Sequence, residues 1–399
     1  MDDAAMLNEQ EALERILARI QPLDFKTLPL REAAGRCVAA DISATVPSPP
    51  FDNSSMDGFA LGFDGGTAAT GSSFRLVGTQ PAGPDAGLSL QNGEAARIFT
   101  GAPLPKGTSA ILRQEDARLD SDLVHVTDEC ARDEFIRRAG ADLCRGQRIL
   151  SRGELLNPQR LALLASQGLA SVAVHRPARV CIISTGDELI APGQTLAPGQ
   201  IYESNGVLLA ALVERSGAQV VRVLTVRDEL AELTATLREA ISAADAVVIS
   251  GGVSVGERDY VKPALASLGV EADFWKVAIK PGRPFLFGHA PGGAAVFGLP
   301  GNPVSSFVTF HLFVRAALRR MSGAIDVAPE CRPARAGAEL SNPDGRPHYM
   351  RGRIESGVFL PQGRQESHAL FGLSRSDALV CVRPGSVIAE GGAVEALPC

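Results

Sequence analysis

The stretch Val180-Cys-Ile-Ile-Ser-Thr-Gly-Asp-Glu188 decides the fold, because an apolar run of strand type stops there at a polar cluster. Three later apolar runs stop in the same way, at Arg227-Asp228, at residues 250–259 and at residues 298–306. Helical patterns lie between the first three runs, and strands that alternate with helices predict βαβ units and a parallel sheet. Ligands of such sheets bind outside the carboxyl ends of the strands, so the polar clusters predict a pocket.

The sequence around this region predicts three further parts. Residues 7–20 have helical spacing with Asn8 as N-cap, and Pro47-Ser-Pro-Pro50 is a stiff, extended boundary. Short β-like runs separated by glycine and proline turns follow up to residue 146 and return after residue 325. We therefore predict a multi-domain α/β protein with a central doubly wound, mostly parallel sheet, a β-rich inserted domain and a β-rich C-terminal domain. The predicted domains are 1–50 with 147–177 (I, a linking domain), 51–146 (II), 178–325 (III, substrate-binding) and 326–399 (IV).

The composition is that of a globular protein and excludes several function classes. Of the 399 residues 45% are hydrophobic and 21% are charged, and the net charge of -6 argues against nucleic-acid binding through bulk positive charge. No apolar run reaches the roughly 18 residues of a membrane span, and the acidic N-terminus does not resemble a signal peptide. The seven cysteines form no C-x-x-C pair, which predicts reduced thiols and a cytoplasmic location. The histidines form no H-x-x-x-H pair, so a zinc site has little support.

Four acidic residues follow the predicted strands: Asp187, Glu188, Asp228 and Asp259. Carboxylates that are clustered at strand ends repel one another unless a cation joins them, and Mg²⁺ suits a few carboxylates together with phosphate oxygens. The alternative is that each acid caps the helix that follows it. Capping is the better interpretation for a single acid, whereas for the set we favour a metal site.

Two further segments predict anion binding. Ser250-Gly-Gly-Val-Ser-Val-Gly256 lies between a strand and a helix, where its amides can cradle an anion; a simple tight turn is the equally favoured alternative. Its spacing fits neither the dinucleotide fingerprint nor the P-loop. The segment 274–284 supplies Lys276, Lys280 and Arg283, and if it is a strand up to Pro281 the two lysines share one face. Three cations suit an anionic substrate, although a solvated strand edge is the alternative.

Six motifs occur together and in order, and they carry a family resemblance. They are Asp52-Asn-Ser-Ser-Met-Asp-Gly-Phe-Ala60, Arg97-Ile-Phe-Thr-Gly-Ala-Pro103, Ser184-Thr-Gly-Asp-Glu-Leu189, Ser250-Gly-Gly-Val-Ser-Val-Gly256, Lys280-Pro-Gly-Arg-Pro284 and Gly298-Leu-Pro-Gly-Asn-Pro-Val-Ser305. With them the chain resembles, over nearly its full length, the molybdopterin molybdenumtransferases of the MoeA type, which are related to the gephyrin E-domain.

The resemblance implies a reaction and partners. Molybdate is inserted into adenylylated molybdopterin with the help of Mg²⁺, and AMP is released. The resemblance also implies an elongated homodimer of four-domain protomers, with each active site between domain III of one chain and domain II of the other. Other proteins of molybdenum cofactor synthesis are further expected partners.

The resemblance also implies site residues, carried over by matching motif. The catalytic set is Asp57, Thr100, Asp142, Glu188, Asp228, Asp259, Lys276 and Lys280, in which Asp228 and Asp259 are the Mg²⁺ ligands. The substrate-binding set is Ser250, Gly251, Gly252, Ser254, Arg283, Pro300, Ser305, Arg351 and Ser367. Two positions depart from the family pattern. Arg283 replaces the usual lysine of K-P-G-K-P, and Ala141 replaces the usual glutamate before Asp142.

Two other functions are alternatives. A scaffold protein of the same fold without catalysis is one, although no Pro/Ser-rich linker or fused domain supports it. A dehydrogenase on a doubly wound sheet is the other, and the missing G-x-G-x-x-G argues against it. We interpret His125, His175, His289 and His311 as surface or packed residues, and Trp275 with the phenylalanines of residues 307–313 as core.

Overall fold

The structure is a computed structural model, and it describes residues 6–253, 259–328 and 330–399. The chain forms two compact units. The first, here the sheet unit, comprises Met1–Ala40, Arg152–Ala162 and Ala170–Cys399. The second, here the β-rich unit, comprises Asp41–Ser151 and Leu163–Leu169. The division into four domains stays a prediction.

The β-rich unit is built on a six-stranded sheet. Its strands are β1 (Gly58–Gly62), β2 (Ser73–Gln80), β3 (Glu94–Ile98), β4 (Ala110–Arg113), β5 (Ala117–Asp120) and β6 (Leu123–Val126), in the order β4-β1-β3-β2-β6-β5. One face packs around Phe59, Leu61 and Phe74. The alternation of short strands and turns in the sequence therefore corresponds to real strands here.

The sheet unit contains a second six-stranded sheet. Its strands are β7 (Arg179–Thr185), β8 (Gln219–Val226), β9 (Ala246–Ser250), β10 (Glu271–Lys276), β11 (Pro284–His289) and β12 (Ala295–Leu299), in the order β8-β7-β9-β12-β11-β10. Strands β8, β7, β9 and β12 are parallel to one another. β11 runs antiparallel to β12, and β10 runs antiparallel to β11, so β10 has the same direction as the parallel strands. This mostly parallel sheet confirms the predicted α/β fold class.

Helices cover both faces of this sheet, which explains why its strands are apolar without alternation. Val180 and Ile182 pack in one core, and their neighbours Cys181 and Ile183 pack in the other. The α-helices of the described residues are α1 (Glu9–Arg19), α2 (Pro158–Ser166), α3 (Asn205–Arg215), α4 (Leu230–Ala243), α5 (Val261–Ser267), α6 (Pro303–Thr309), α7 (Arg315–Met321) and α8 (Leu370–Ser374), and short 3-10 helices span Leu30–Glu32 and Gln114–Asp116. A π-helical turn, Phe310–Val314, joins α6 and α7. None of the described helices is long and apolar enough to cross a membrane.

The N-terminal helix begins as predicted. Asn8 is the N-cap of α1, where its side-chain oxygen accepts a hydrogen bond from Glu11 N at 2.9 Å. The side chain of Glu11 accepts in return from Asn8 N at 3.0 Å. This reciprocal capping box satisfies two amides that the helix itself cannot pair.

The chain ends in a closed barrel of five strands. They are β13 (Arg332–Ala336), β14 (His348–Glu355), β15 (Val358–Pro361), β16 (Ala378–Val382) and β17 (Ala393–Pro398). Phe359, Val382 and Ala396 are among its fully or almost fully buried core residues. Closure leaves no strand edge open. Short ladders complete the described strands: Phe25–Pro29, Ile42–Ser43, Asn53–Ser54, Thr67–Ala68, Cys130–Ala131, Ile136–Arg137, Arg148–Leu150, Ser171–His175, Leu189–Ile190, Ile201–Tyr202, Leu340–Ser341 and Val387–Ile388.

Candidate functional site

The register of the parallel strands brings the predicted polar clusters to one edge of the sheet. Thr185 pairs with Val226, and Ser250 lies between Ser184 and Leu299. These residues end or nearly end their strands, so the segments that follow β7, β8, β9 and β12 leave the sheet at the same edge. We call it the carboxyl edge.

Two neighbouring strand ends are joined at this edge by two hydrogen bonds, one between side chains and one from the main chain to a side chain. The hydroxyl of Thr185 donates to Asp228 Oδ1 at 2.5 Å. Asp228 N donates to Asp187 Oδ1 at 3.1 Å. Thr185 is buried, with 6% exposure, whereas Asp228 is half-buried. The predicted metal ligand Asp228 is therefore held in place by one carboxylate oxygen.

The glycines after β9 are required by their conformation and by close contacts. Gly251 has φ +94°, and a Cβ there would lie 2.5 Å from the carbonyl oxygen of Thr185. Gly252 has φ +63°, and its Cβ would lie 2.7 Å from a methyl group of Val261. The amide of Gly251 donates to Leu299 O at 3.1 Å and is therefore used within the protein. Ser254 lies outside the described residues.

A cavity of about 540 Å³ opens at the carboxyl edge. Its lining includes the predicted residues Glu188, Ser250, Gly252 and Pro300. The remaining lining residues are Ser184, Thr185, Leu189, Ile201, Tyr202, Glu203, Ser204, Asn205, Val253, Pro284, Gly301, Asn302, Pro303, His368 and Leu370. Hydroxyl, amide and carboxylate groups thus line a space large enough for a small organic molecule.

Two lining residues were missed by the sequence analysis. Glu203 is buried and accepts hydrogen bonds from Ser184 Oγ at 2.9 Å and from Gly206 N at 2.6 Å. Asn205 donates to Ser250 Oγ at 2.8 Å and to Gly301 O at 2.6 Å. Together they join the start of α3 to the ends of three strands. The signal in the sequence was a polar cluster directly before an apolar helix.

The basic segment also lies at the carboxyl edge, but its geometry differs from the prediction. Strand β10 ends at Lys276, so Lys280 belongs to a loop and the premise that both lysines share a strand face is wrong. In the described chain, no hydrogen bond or ion pair holds the side chain of Lys276 or Arg283. Lys280 forms an ion pair with Asp344, which lowers the pKa of that carboxyl group.

The strand order separates the acidic and basic ends of this edge. Asp228 follows β8 at one side of the sheet, and Lys276 ends β10 at the other. Five spacings of about 4.8 Å between adjacent strands give a separation of roughly 24 Å along the edge. The structure therefore places these two groups at opposite ends of one edge and does not bring them into contact.

A segment of the C-terminal region reaches the start of α6. Ser367 Oγ accepts from the side-chain amide of Asn302 at 2.9 Å, and Ser367 O accepts from Val304 N at 3.1 Å. Arg351 is 1% exposed and donates to the carbonyl oxygens of Arg364 and Glu366, in the latter case at 3.3 Å. Burial lowers its pKa. Arg351 thus holds the segment that carries Ser367, and Ser305 is buried in the first turn of α6.

The β-rich unit positions Asp57 and Thr100 together. Asp57 Oδ1 accepts from Thr100 N at 2.7 Å and from Thr100 Oγ1 at 2.8 Å. The bond from the Thr100 amide is the main reason why the pKa of Asp57 is lowered. Asp142 is exposed in another loop of this unit, where its amide donates to Ser48 O at 2.9 Å.

The possible metal ligands are carboxylates. Asp228 uses one oxygen to accept from Thr185, and Asp259 is half-buried just before α5. Across residues 6–253, 259–328 and 330–399, no three His, Cys, Asp or Glu side chains form a group able to hold a metal by themselves. Oxygen donors from one or two carboxylates, completed by substrate phosphates, are a donor set that suits Mg²⁺.

Comparison with known proteins covers almost the whole chain. Residues 7–168 match the family model "MoeA N-terminal region (domain I and II)", residues 181–320 match "Probable molybdopterin binding domain", and residues 333–399 match "MoeA C-terminal region (domain IV)".

Individual relatives agree with these models. Molybdopterin molybdenumtransferase 2 of Mycobacterium tuberculosis is 37% identical over 93% of each chain. The molybdopterin molybdenumtransferase of Haemophilus influenzae is 36% identical over 94% of each chain. The solved structure of the molybdopterin biosynthesis moeA protein from Pyrococcus horikoshii superposes with a TM-score of 0.81 at 29% identity, over 99% of this chain and 100% of that one.

Proposed function

The chain belongs to the MoeA family of molybdopterin molybdenumtransferases, and from this we propose that it inserts molybdate into adenylylated molybdopterin and releases AMP. The observation that carries the proposal is the carboxyl edge, which has carboxylates at one end, basic side chains at the other and a polar cavity of about 540 Å³. Such an edge suits a long substrate that carries a pyrophosphate and meets a second anion.

We further propose that Asp228 and Asp259 hold Mg²⁺ together with the pyrophosphate of the substrate. When bound, the ion neutralises phosphate charge and polarises phosphorus. The chain contributes the positioning, because the hydrogen bond from Thr185 leaves the second oxygen of Asp228 for other contacts. Charged groups that are already in position before the reaction often contribute more to an enzyme's rate enhancement than any other effect.

The basic side chains at the other end of the carboxyl edge have a different role in this proposal. Molybdate and the substrate are both anions, and the side chains of Lys276 and Arg283 make no ion pair with the described residues. They are therefore available to reduce the repulsion between the two anions. Lys280 must exchange its ion pair with Asp344 for one with an incoming anion. The planar guanidinium of Arg283 keeps the charge at the position where the family usually has lysine.

The direct test is a reaction with the full-length protein, adenylylated molybdopterin, Mg²⁺ and molybdate, in which AMP and active cofactor are measured. AMP release that depends on molybdate supports the proposal, and its absence contradicts it. Asp228→Ala should lower the rate on the order of 10²–10³-fold, as the deletion of one preorganised stabilising group does. Glu239→Gln is the control, because this exposed carboxylate on α4 forms a solvent-exposed ion pair with Arg222. Asp228→Ala at the wild-type rate with unchanged Mg²⁺ demand would refute the role of Asp228.

A scaffold without catalysis remains the alternative that this assay decides. Partner binding with no AMP release in the wild-type protein would favour it. The family membership leaves the dehydrogenase interpretation without support.

We also infer that the protein is a cytoplasmic homodimer that contacts other proteins of molybdenum cofactor synthesis. The family resemblance supports the dimer, and the seven free cysteines are typical of a reducing compartment. Light scattering after size-exclusion chromatography tests the dimer, since a monomer mass at micromolar concentration would contradict it.

A further inference from the structure

Three loops meet at one end of the β-rich sheet. Asp57 precedes β1, Phe99 and Thr100 follow β3, and Gln114 follows β4. Because β1 pairs with both β3 and β4 in antiparallel fashion, its start lies beside their ends. The loops are linked: Gln114 N donates to Asp57 O at 3.1 Å, and Thr100 donates twice to the Asp57 carboxylate. We call residues 56–57, 97–100 and 114 the Asp57 tip.

A cation holds an exposed aromatic ring in place at the Asp57 tip. The guanidinium carbon of Arg97 lies 4.9 Å from the ring centroid of Phe59 and 5.3 Å from that of Phe99. Arg97 also donates to Gln114 Oε1 at 2.8 Å, and within the described residues it forms no ion pair. Phe99 is nevertheless 37% exposed. The ring is thus both oriented and open to solvent, so little conformational entropy is lost when a partner stacks on it.

A hydrogen-bond acceptor lies next to this ring. Both bonds from Thr100 go to Asp57 Oδ1, so the exposed carboxylate keeps Oδ2 for other donors. Because these bonds lower the pKa of Asp57, the group remains an acceptor at neutral pH. An aromatic face beside a fixed carboxylate matches a flat ligand that has N–H groups along one edge.

We propose that the Asp57 tip binds a planar nitrogen heterocycle, which stacks on Phe99 and donates ring N–H or amino hydrogens to Asp57. The inference rests on the proposed function, because adenylylated molybdopterin carries two such rings, a purine and a pterin. It assigns Phe99 and Arg97 a part in substrate binding: Phe99 touches the ring, and Arg97 is a positioning residue that orients Phe99.

The test titrates the full-length protein with AMP and, separately, with 6-hydroxymethylpterin, whose fluorescence reports stacking. Phe99→Leu keeps an apolar side chain but removes the aromatic face, and should weaken binding of one probe about tenfold (about 1.4 kcal/mol). The affected probe identifies which end of the substrate binds. Phe99→Trp should bind at least as tightly as wild type. Leu119→Ala is the control, because Leu119 is 51% exposed on the opposite edge strand of the same sheet.

The acceptor is tested by removing a donor from the probe. If the purine is the ligand, wild type should prefer AMP to purine riboside 5′-monophosphate, which lacks the amino group, and Asp57→Asn should abolish that preference. For the pterin, the matched pair is 6-hydroxymethylpterin and its 2-deamino analogue. During turnover, Phe99→Leu should raise KM and leave kcat within about twofold of the wild-type value. This pattern is expected when the lost contact stabilised the bound substrate and the transition state equally.

Unchanged affinity of Phe99→Leu for both probes would overturn the inference. Weaker binding of Phe99→Leu to a protein partner, with its affinity for both probes unchanged, would also overturn it. These outcomes are distinct from failure of the proposed function. Loss of molybdate-dependent AMP release in the wild type concerns the reaction, whereas the probe titrations concern only the ring site. Equal melting temperatures of the variants and wild type establish that folding is intact.

Discussion

Replacing Thr185 by valine should remove the hydrogen bond that holds the Asp228 carboxylate, with little change in the shape of the side chain at position 185. The hydroxyl of Thr185 donates to Asp228 at 2.5 Å, and the threonine is 6% exposed, so water has little access to take its place. Hydrogen bonds to charged groups contribute about 1.5–3 kcal/mol. At about 1.36 kcal/mol per factor of ten, that range predicts a loss of about 10–150-fold in kcat/KM.

The assay is molybdate-dependent AMP release measured over a range of Mg²⁺ concentrations. Thr185→Val should need more Mg²⁺ for half-maximal rate, because Asp228 then has to be ordered when the ion binds. Thr185→Ser retains the hydroxyl and should stay within about threefold of wild type if the bond alone matters. A Thr185→Val rate within twofold of wild type, at unchanged Mg²⁺ demand, would refute the reasoning.

Three further results are expected. Gly251→Ala should destabilise the protein by about 1–3 kcal/mol or more, because φ is +94° and the new Cβ lies 2.5 Å from a carbonyl oxygen. Thermal melting measures this loss of stability. Gly66→Ala is the control, because a Cβ at Gly66 would have no neighbouring atom within 4 Å. Asp344→Asn frees Lys280 from a half-exposed ion pair, so KM for molybdate should fall by up to about fivefold, and a rise would contradict this. Burial lowers the pKa of His348 from 6.5 to about 4. The stability that depends on His348 being neutral is therefore complete above pH 6.5 and is lost as the pH falls towards 4. The melting temperature of His348→Phe should therefore fall less than that of wild type when the pH is lowered from about 7.5 to about 5.

The central sheet could be predicted because its signal is local. Apolar runs such as Val180 to Ile183 have no alternation, which is typical of strands covered on both faces. The glycines at 251 and 252 marked a sharp turn, and the structure shows positive φ at both. The positions of polar residues relative to strand ends needed only the rule that parallel strands end at one edge.

The order of the strands could not be read in this way. Nothing in the sequence shows that β8 and β10 are the two edge strands, because the order depends on how the helices pack across the faces. The position of Lys280 was missed for a related reason. Its backbone pairs with Pro347 and Tyr349, which are distant in the sequence, and β10 ends at Lys276, which pairs with Pro284 at the start of β11. Glu203 and Asn205 were missed because their partners also come from distant strands.

The separation between Asp228 and Lys276 bears on which ligand can use both ends of the carboxyl edge. A single molybdate ion is far shorter than the roughly 24 Å that five interstrand spacings provide. In the proposed reaction, molybdate would therefore contact only one end at a time, and Mg²⁺ held at the acidic end would act on a different part of the substrate. The proposed substrate, a pterin joined through pyrophosphate to adenosine, is long enough to place its phosphates and its pterin in different regions of one edge. The separation of charges is thus what a two-ended substrate requires, because the acidic end then does not repel the oxyanion that the basic end attracts.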